Sequence, residues 1–229
     1  DINQDIHQVA MSKDGNYFAV AGLEGSNSKI YLYKTNYTDD DANPVQQWTY
    51  SWSTYLYYVA ISADGSYIVA GGSTEVRVFS KDSSTPILTV SNINVYNIAI
   101  SGNGKYFAIC GSDHISFYST SSSTPLWAYS TSNACQDSYA QYGNSVVISD
   151  DGNYVAVAGN NNDNVVRAFN ASTGAVILAY TVNNDPYSVD ISSDGKYIAA
   201  AAYYGVYAFE LSSATDTYSL KWQSNSQCC

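Results

Sequence analysis

The chain has 229 residues, of which 45% are hydrophobic and only 13% are charged, and its formal net charge at pH 7 is −11. This acidic balance makes nucleic acids and anionic membrane surfaces poor electrostatic partners, so neither is expected. No apolar run approaches the ~20 residues that a membrane-spanning helix needs, and the many Tyr, Val and Thr residues favour strands.

Five segments of similar sequence follow one another along the chain. They are MSKDGNYFAVAG (11–22), ISADGSYIVAGG (61–72), ISGNGKYFAICG (100–111), ISDDGNYVAVAG (148–159) and ISSDGKYIAAAA (191–202). The glycines that follow Asp or Asn in successive segments lie 50, 39, 48 and 43 residues apart. A period of about 40 to 50 residues made of short strands is typical of the blades of a β-propeller.

Each unit has the same predicted elements in the same order. A short apolar strand A ends at Ser, as in YVAIS (58–62), and an Asp-Gly or Asn-Gly turn follows, which supplies the positive φ of a tight hairpin. Strand B comes next, then an alternating strand C, as in EVRVF (75–79), and a Ser/Thr-rich turn leads to strand D. The sequence therefore predicts one all-β domain over 1–229, a β-propeller of five four-stranded antiparallel blades. The approximate blade boundaries are 5–53, 54–92, 93–132, 140–183 and 184–225.

Strand B carries two further repeated positions. A small residue lies near the end of strand B in every unit, which predicts that neighbouring blades approach closely face to face. These residues are Ala21, Gly71, Cys110, Ala158 and Ala201. A tyrosine lies near the start of strand B, offering a ring for packing and a hydroxyl for a wet edge, namely Tyr17, Tyr67, Tyr106, Tyr154 and Tyr197.

The phrase Ser-x-Asp-Gly-x-Tyr-hydrophobic-Ala, followed by Val-x-Val-Phe, resembles WD-repeat-like and YVTN-type β-propeller repeats, a group related to quinoprotein propellers. The resemblance covers nearly the whole chain and implies the architecture, while it says little about activity. The Trp-Asp dipeptide and the Gly-His pair of true WD repeats are missing. Such families commonly have six to eight blades. This chain has five repeats, which leaves three arrangements open. The five blades could close a ring by themselves, form part of a larger ring, or leave open edges that face another chain. We prefer a five-bladed unit within a longer protein.

The sequence lacks a recognisable catalytic set. A serine ends strand A in every unit, so a structural role is expected of it rather than that of a single nucleophile. The two histidines, His7 and His114, form no metal-binding or triad pattern. Asp190 replaces the Ala or Val of the other units and is expected to be a channel residue with a polar partner. We predict no enzyme activity, no cofactor and no metal.

A set of polar and aromatic residues lies five positions before each strand-A serine. Its members are His7, Tyr57, Tyr96, Asn144 and Tyr187, and Tyr58 lies next to Tyr57. By the symmetry of the repeat they are expected to surround one mouth of the central channel. They could bind a sugar or a small polar ligand by stacking and hydrogen bonds, or could merely plug the channel.

Two sequons and four cysteines bear on the compartment. The sequons, at Asn36 and Asn170, both follow strand C. This shared position favours a glycosylated extracellular face, and the alternative is that both sequons arise by chance in an Asn- and Ser-rich chain. A Cys110–Cys135 disulfide is expected because strand B ends on the same face as the loop that carries Cys135. The last two residues, Cys228 and Cys229, are expected to bridge to other residues or chains, since adjacent cysteines rarely bond to each other. Both expectations favour an oxidising compartment.

These observations lead to three hypotheses on function. The first is a non-catalytic, secreted extracellular propeller that binds a protein or a glycan. The second is a structural subunit of an extracellular filament or surface assembly, in which copies of the chain contact one another. The third, carried by the resemblance alone, is a lactonase-like or quinoprotein-like propeller enzyme.

Overall fold

The computed structural model describes residues 4–25, 27–36, 43–111, 113–131, 135, 145–159 and 164–224. These residues form twenty strands in five four-stranded antiparallel sheets, which confirms the all-β propeller with five blades. Each strand pairs with the next strand in sequence, so the order within every blade is A-B-C-D. Within the described ranges, no helix is long and apolar enough to span a membrane.

The first three blades are formed as follows. Blade 1 contains β1 (Gln4–Met11), β2 (Tyr17–Glu24), β3 (Asn27–Lys34) and β4 (Val45–Trp52). Blade 2 contains β5 (Leu56–Ile61), β6 (Tyr67–Gly72), β7 (Glu75–Ser80) and β8 (Leu88–Ser91). Blade 3 contains β9 (Val95–Ile100), β10 (Tyr106–Gly111), β11 (His114–Ser119) and β12 (Trp127–Ser130).

The last two blades repeat this arrangement. Blade 4 contains β13 (Val146–Ile148), β14 (Tyr154–Ala158), β15 (Val165–Asn170) and β16 (Val176–Thr181). Blade 5 contains β17 (Pro186–Ile191), β18 (Tyr197–Ala202), β19 (Gly205–Ser212) and β20 (Thr217–Ser224). The A strands are β1, β5, β9, β13 and β17, which contact their counterparts in neighbouring blades.

The strand-A serine closes each A-to-B hairpin. Ser62 is fully buried, its hydroxyl donates to Asp64 Oδ1 at 2.8 Å, and its oxygen accepts the N–H of Tyr67 at 3.0 Å. The turn glycine, Gly65, has φ +72°, a conformation that costs a residue with a Cβ about 1–2 kcal/mol. The same pair of bonds recurs at Ser12, Ser101, Ser149 and Ser192. The structural interpretation of this repeated serine is confirmed.

The hydrophobic core lies between the blades. The described residues form four clusters of buried side chains, and each cluster joins one blade to the next in sequence. Between blades 1 and 2, for example, Ile30 and Leu32 pack with Leu56, Ile68 and Phe79, all of which are fully buried. Because burial of such a side chain is worth roughly 1.5–3 kcal/mol, these interfaces rather than isolated sheets hold the fold together. Gly71 shows how close the approach is, since a Cβ there would come within 2.5 Å of Ile98 Cδ1.

The A-to-B turns are also linked by backbone hydrogen bonds from blade to blade. Their donor and acceptor pairs are Lys13 N to Ala63 O at 2.9 Å, Ala63 N to Gly102 O at 3.0 Å, Asn103 N to Asp150 O at 3.0 Å, and Asp150 N to Ser193 O at 3.0 Å. The long side chain of Lys13 spans this end of the channel, where its Nζ donates to Ser193 Oγ at 2.7 Å and forms an ion pair with Asp150.

Candidate ligand-binding mouth

A group of aromatic residues from blades 1 to 3 lies where the A strands begin. We call this group the aromatic mouth, and its members are His7, Tyr55, Tyr57, Tyr58 and Tyr96. The group occupies the opposite end of the A strands from the Asp-Gly turns, because strand A leads away from it to those turns. Three of the five predicted positions, His7, Tyr57 and Tyr96, contribute to it, together with the adjacent Tyr58.

The rings of the aromatic mouth form a partly stacked row. His7 stacks on Tyr57 with ring centroids 5.3 Å apart and planes inclined by 19°. Tyr55 stacks on the same Tyr57 at 6.1 Å and 13°, and Tyr58 lies beside it at 6.2 Å and 58°. Tyr55 is 60% exposed and Tyr57 39% exposed, so part of this row faces solvent. Near-parallel rings on a surface offer a flat, apolar platform edged by hydroxyl groups.

Two residues of β1 hold this row against blade 2. The Nδ1 of His7 lies 2.7 Å from the carbonyl of Leu56, and a carbonyl can only accept, so this nitrogen carries the proton. When the ring is neutral, its Nε2 is therefore an acceptor. The adjacent Gln8 accepts the N–H of Val59 through Oε1 at 2.7 Å. These bonds fix the orientation of His7 relative to Tyr57 before any ligand arrives.

Tyr58 and Tyr96 form the inner part of the aromatic mouth. Burial raises the pKa of Tyr58 to about 12, and the neighbouring hydroxyls of Tyr57 and Tyr96 act in the same direction. Tyr58 thus keeps its proton and can donate a hydrogen bond across the physiological pH range. The hydroxyl of Tyr96 accepts a long bond of 3.5 Å from the side-chain amide of Asn94. Next to it, Asn97 is 3% exposed, and its Oδ1 has no hydrogen-bond partner among the described residues.

The remaining predicted mouth residues do not join this group. Tyr187 is 38% exposed at the corresponding end of blade 5, and it has no ring contact with the aromatic mouth within the described residues. Asn144 lies outside the described residues. Two residues that the sequence analysis did not single out, Tyr203 and Tyr204, form an edge-to-face pair at 4.7 Å in the nearby B-to-C turn of blade 5. In the sequence this pair is recognisable as two adjacent tyrosines between Ala202 and Gly205, in a turn where the other units have no tyrosine.

Asp190 is not the partnered channel residue that the sequence predicted. Its side chain is exposed on the side of blade 5 that no other blade covers, and its Oδ1 accepts only the N–H of the adjacent Ile191 at 2.9 Å. The physical reason is that the four equivalent residues face a following blade, whereas no described blade follows blade 5.

The two sequons lie in different surroundings. Asn36 is exposed just after β3. Asn170 is half-buried at the end of β15, its amide donates to Asp216 Oδ2 at 3.1 Å, and its Oδ1 accepts the N–H and the hydroxyl of Ser172. Asn36 is therefore the more exposed of the two sequon asparagines.

The predicted disulfide is present between Cys110 of β10 and Cys135, with 5.7 Å between the Cα atoms. Both residues are buried in the cluster between blades 3 and 4. Cys228 and Cys229 lie outside the described residues. Over the ranges that the structure describes, no group of three or more His, Cys, Asp and Glu side chains is arranged to hold a metal ion.

Comparison with solved structures supports the fold. No protein-family model matches the chain, and no curated protein matches its sequence. Among solved structures, a protein of unknown function from Desulfotomaculum acetoxidans DSM 771 superposes with a TM-score of 0.71 at 17% identity, covering 96% of this chain and 70% of that one. The β-propeller domain of Cps50 (Swd1) from Myceliophteria thermophila gives a TM-score of 0.71 at 13% identity, covering 97% and 73%. These similarities establish a β-propeller fold for this chain.

Proposed function

We propose that this chain is a non-catalytic propeller module that binds a glycan or a protein through the aromatic mouth, and that it acts in an extracellular, oxidising compartment. The observation that carries the proposal is the row of His7, Tyr57 and Tyr55 rings, which is exposed and yet held in place by hydrogen bonds to blade 2. The compartment is supported by the Cys110–Cys135 disulfide, because such bonds persist where the surroundings are oxidising.

The geometry of the row favours a glycan over a protein. The apolar face of a pyranose ring stacks on aromatic planes, and its hydroxyl groups require nearby donors and acceptors. Both are present, since the rings of Tyr55 and Tyr57 are inclined by only 13° and Tyr58 retains its hydroxyl proton. When the ring of His7 is neutral, its Nε2 supplies an acceptor beside the stacked rings. A rigid platform also reduces the entropy lost on binding, since few side chains remain to be ordered.

The test is a binding screen of the purified protein against an array of neutral and acidic oligosaccharides, followed by calorimetry with the best oligosaccharide. Tyr57→Ala removes the central ring and is expected to weaken binding at least tenfold, which corresponds to about 1.4 kcal/mol. Tyr57→Phe keeps the ring and is expected to retain most of the affinity. Leu126→Ala is the control, because Leu126 is 55% exposed just before β12, at the opposite end of blade 3 from the aromatic mouth.

The proposal fails if the Tyr55→Ala, Tyr57→Ala double variant binds its oligosaccharide as tightly as the parent protein does. It also fails if neither oligosaccharides nor protein partners bind the parent protein at all. If a protein partner binds and its affinity depends on Tyr57, the binding role stands and the preference for a glycan is wrong.

A further inference from the structure

The described residues leave one side of blade 1 uncovered, although that side carries the residue types of a buried interface. Val9 of β1 is 60% exposed, whereas its equivalents are 1–6% exposed, namely Val59, Ile98, Val146 and Val189. Ile6 and Met11 on the same strand are 51% and 54% exposed, and the equivalent of Ile6 in blade 2, Leu56, is fully buried. In blades 2 to 5 these positions contact the preceding blade, so blade 1 presents the face on which a preceding blade would pack.

Blade 5 presents the complementary face. The strand-B tyrosine of each earlier blade lies over the turn glycine of the next, and the pairs are Tyr17 with Gly65, Tyr67 with Gly104, Tyr106 with Gly152, and Tyr154 with Gly195. The series stops at Tyr197, which is 49% exposed. At the other end of the chain, no atom of the described residues lies within 4 Å of the Cβ position of Gly15. Among the described residues, Tyr197 therefore has no glycine beneath its ring, and Gly15 has no tyrosine ring over it.

The tryptophan of strand D also has an acceptor in the next blade in blades 1 and 3 but not, among the described residues, in blade 5. Trp48 donates its indole N–H to Lys81 O at 2.9 Å in blade 2, and Trp127 donates to Ala171 O at 2.7 Å in blade 4. Trp222 occupies the same register position, since it pairs with Ala208 as Trp48 pairs with Leu32. Its ring is 56% exposed, and no described residue accepts its N–H. Trp222 is therefore placed to reach the C-to-D turn of a following blade.

The gap between blades 5 and 1 lacks a core in the described residues, because the four clusters account for the interfaces 1–2, 2–3, 3–4 and 4–5. On the blade 5 side there is instead an open cavity lined by Asp190, Tyr197, Ala199, Ala208 and Lys221. Its small side chains would fit against bulky residues of another blade, as Gly71 fits against Ile98.

We propose that a pair of further blades of the same repeat type, belonging to the same polypeptide, fills this gap and completes a larger ring. The first of these blades would place a turn glycine under Tyr197 and a backbone carbonyl before Trp222. The second would place a tyrosine over Gly15 and apolar residues against Val9. This occupant follows from the two free faces, which are the two halves of the interface that the chain already makes four times.

Size and connectivity decide between this occupant and a second copy of the chain. The two similar solved chains are matched over 70% and 73% of their length, which leaves room for about two blades of this size. A second copy that continued the ring would bring five blades, which is more than the room for about two blades that these coverages leave. Every following blade here is also the next in sequence, so the free faces of blades 1 and 5 are those that sequence neighbours would cover.

The experiment uses the protein purified from its natural source. Mass spectrometry of the polypeptide and electron-microscopic projections along the channel axis measure chain length and blade number. We expect a polypeptide longer by roughly 90 residues, which is two repeat periods, and a ring of seven blades. A five-bladed ring closed by Tyr197 on Gly15, or a gap left open, would overturn the proposal. A gap filled by a second copy or by another polypeptide would overturn it equally.

A pair of variants of the protein made at its natural length gives an independent readout. Val9→Asp places a charge in the proposed interface and is expected to lower the folded-to-unfolded ratio at least tenfold. Val45→Asp is the matched control, because Val45 is 52% exposed on the outer strand β4 and should tolerate the charge. Equal effects of the two substitutions would show that Val9 is not covered and would contradict the proposal.

Discussion

The ring of Tyr67 in blade 2 lies directly over Gly104 in the turn of blade 3. A Cβ placed on Gly104 would come within 2.5 Å of Tyr67 Cδ2, and the φ of this glycine is +68°. The residue is therefore constrained twice, once by its own backbone and once by the neighbouring blade. Gly15 has nearly the same φ, +72°, but no described atom lies near its Cβ position. Gly15 is therefore the internal control for the effect of the neighbouring tyrosine ring.

We predict that Gly104→Ala destabilises the 229-residue chain more than Gly15→Ala does. The left-handed backbone alone costs about 1–2 kcal/mol in either variant. Gly104→Ala adds the displacement of the Tyr67 ring, which we expect to cost a further 1–3 kcal/mol or so, as other cases of overpacking do. Urea unfolding of the two variants measures the difference. Equal losses would mean that the tyrosine ring yields without cost.

The buried serine of the A-to-B turn provides a second prediction. Ser62→Ala deletes the hydroxyl that donates to Asp64 and accepts from the N–H of Tyr67, leaving that N–H without its partner. We expect the free energy of unfolding to fall by about 1–3 kcal/mol. The exposed Ser51 of β4 is the control, and Ser51→Ala should change stability by less than about 0.5 kcal/mol. A neutral Ser62→Ala would show that the turn does not depend on its serine.

The carboxylates of the A-to-B turns make the free energy of unfolding depend on pH in the acidic range. Hydrogen bonds from Ser12 and from Asn16 lower the pKa of Asp14, and the hydroxyl of Ser192 and the N–H of Lys196 lower that of Asp194. Burial alone would raise the pKa of Asp64, but the hydrogen bonds from Ser66 and Ser62 outweigh it and hold that pKa below the usual 3.8.

A group whose pKa is lower in the folded state stabilises the fold above its unfolded pKa, and this contribution is lost as the pH falls through the folded value. We therefore predict that the free energy of unfolding declines as the pH falls below about 4. Asp64→Asn should reduce the slope of this decline while keeping the fold at pH 7, because blade 3 already carries Asn103 at the equivalent position with the same serine bond. Chemical unfolding at several pH values between 2 and 6 gives the slopes, and an unchanged slope would contradict the prediction.

The disulfide should contribute measurably to stability. Cys110 and Cys135 are 25 residues apart, and closing a loop of that size is expected to stabilise the folded state by about 3–4 kcal/mol on the chain-entropy account. We predict a lower midpoint of thermal unfolding in the presence of reductant. Cys135→Ser should unfold at the lowered temperature whether or not reductant is present. If reductant still lowers the midpoint of that variant, other cysteines are responsible.

The arginine of β7 gives a last prediction. Its guanidinium lies over the rings of both Tyr50 and Trp52, 5.1 and 4.9 Å from their centroids, and forms an ion pair of 2.8 Å with Glu75. Arg77→Met removes the stacked cation and leaves the mostly buried Glu75 carboxylate without its partner, so we expect a loss of about 2–4 kcal/mol. Arg77→Met combined with Glu75→Gln should recover part of this loss. Unfolding of both variants at pH 7 measures the difference, and equal stabilities would show that Glu75 does not need the cation.

The sequence by itself determined the strands, the hairpins and the blade as the repeating unit. These features are local, because an Asp-Gly turn, a serine two positions before the Asp and an alternating apolar run specify a hairpin within a few residues. The role of Ser62, the close approach at Gly71 and the Cys110–Cys135 disulfide were predictable for this reason, since repeated positions reveal both register and face.

Only the tertiary structure decided which faces are covered and which aromatic residues meet. The repeat makes His7, Tyr57, Tyr96 and Tyr187 look equivalent, but the first three meet where blades 1 to 3 adjoin, and Tyr187 has no ring contact with them among the described residues. Likewise Val9 and Val59 look alike in sequence and differ from 60% to 2% in exposure. The physical reason is that burial between blades depends on the neighbouring blade, which the sequence of a single repeat does not specify.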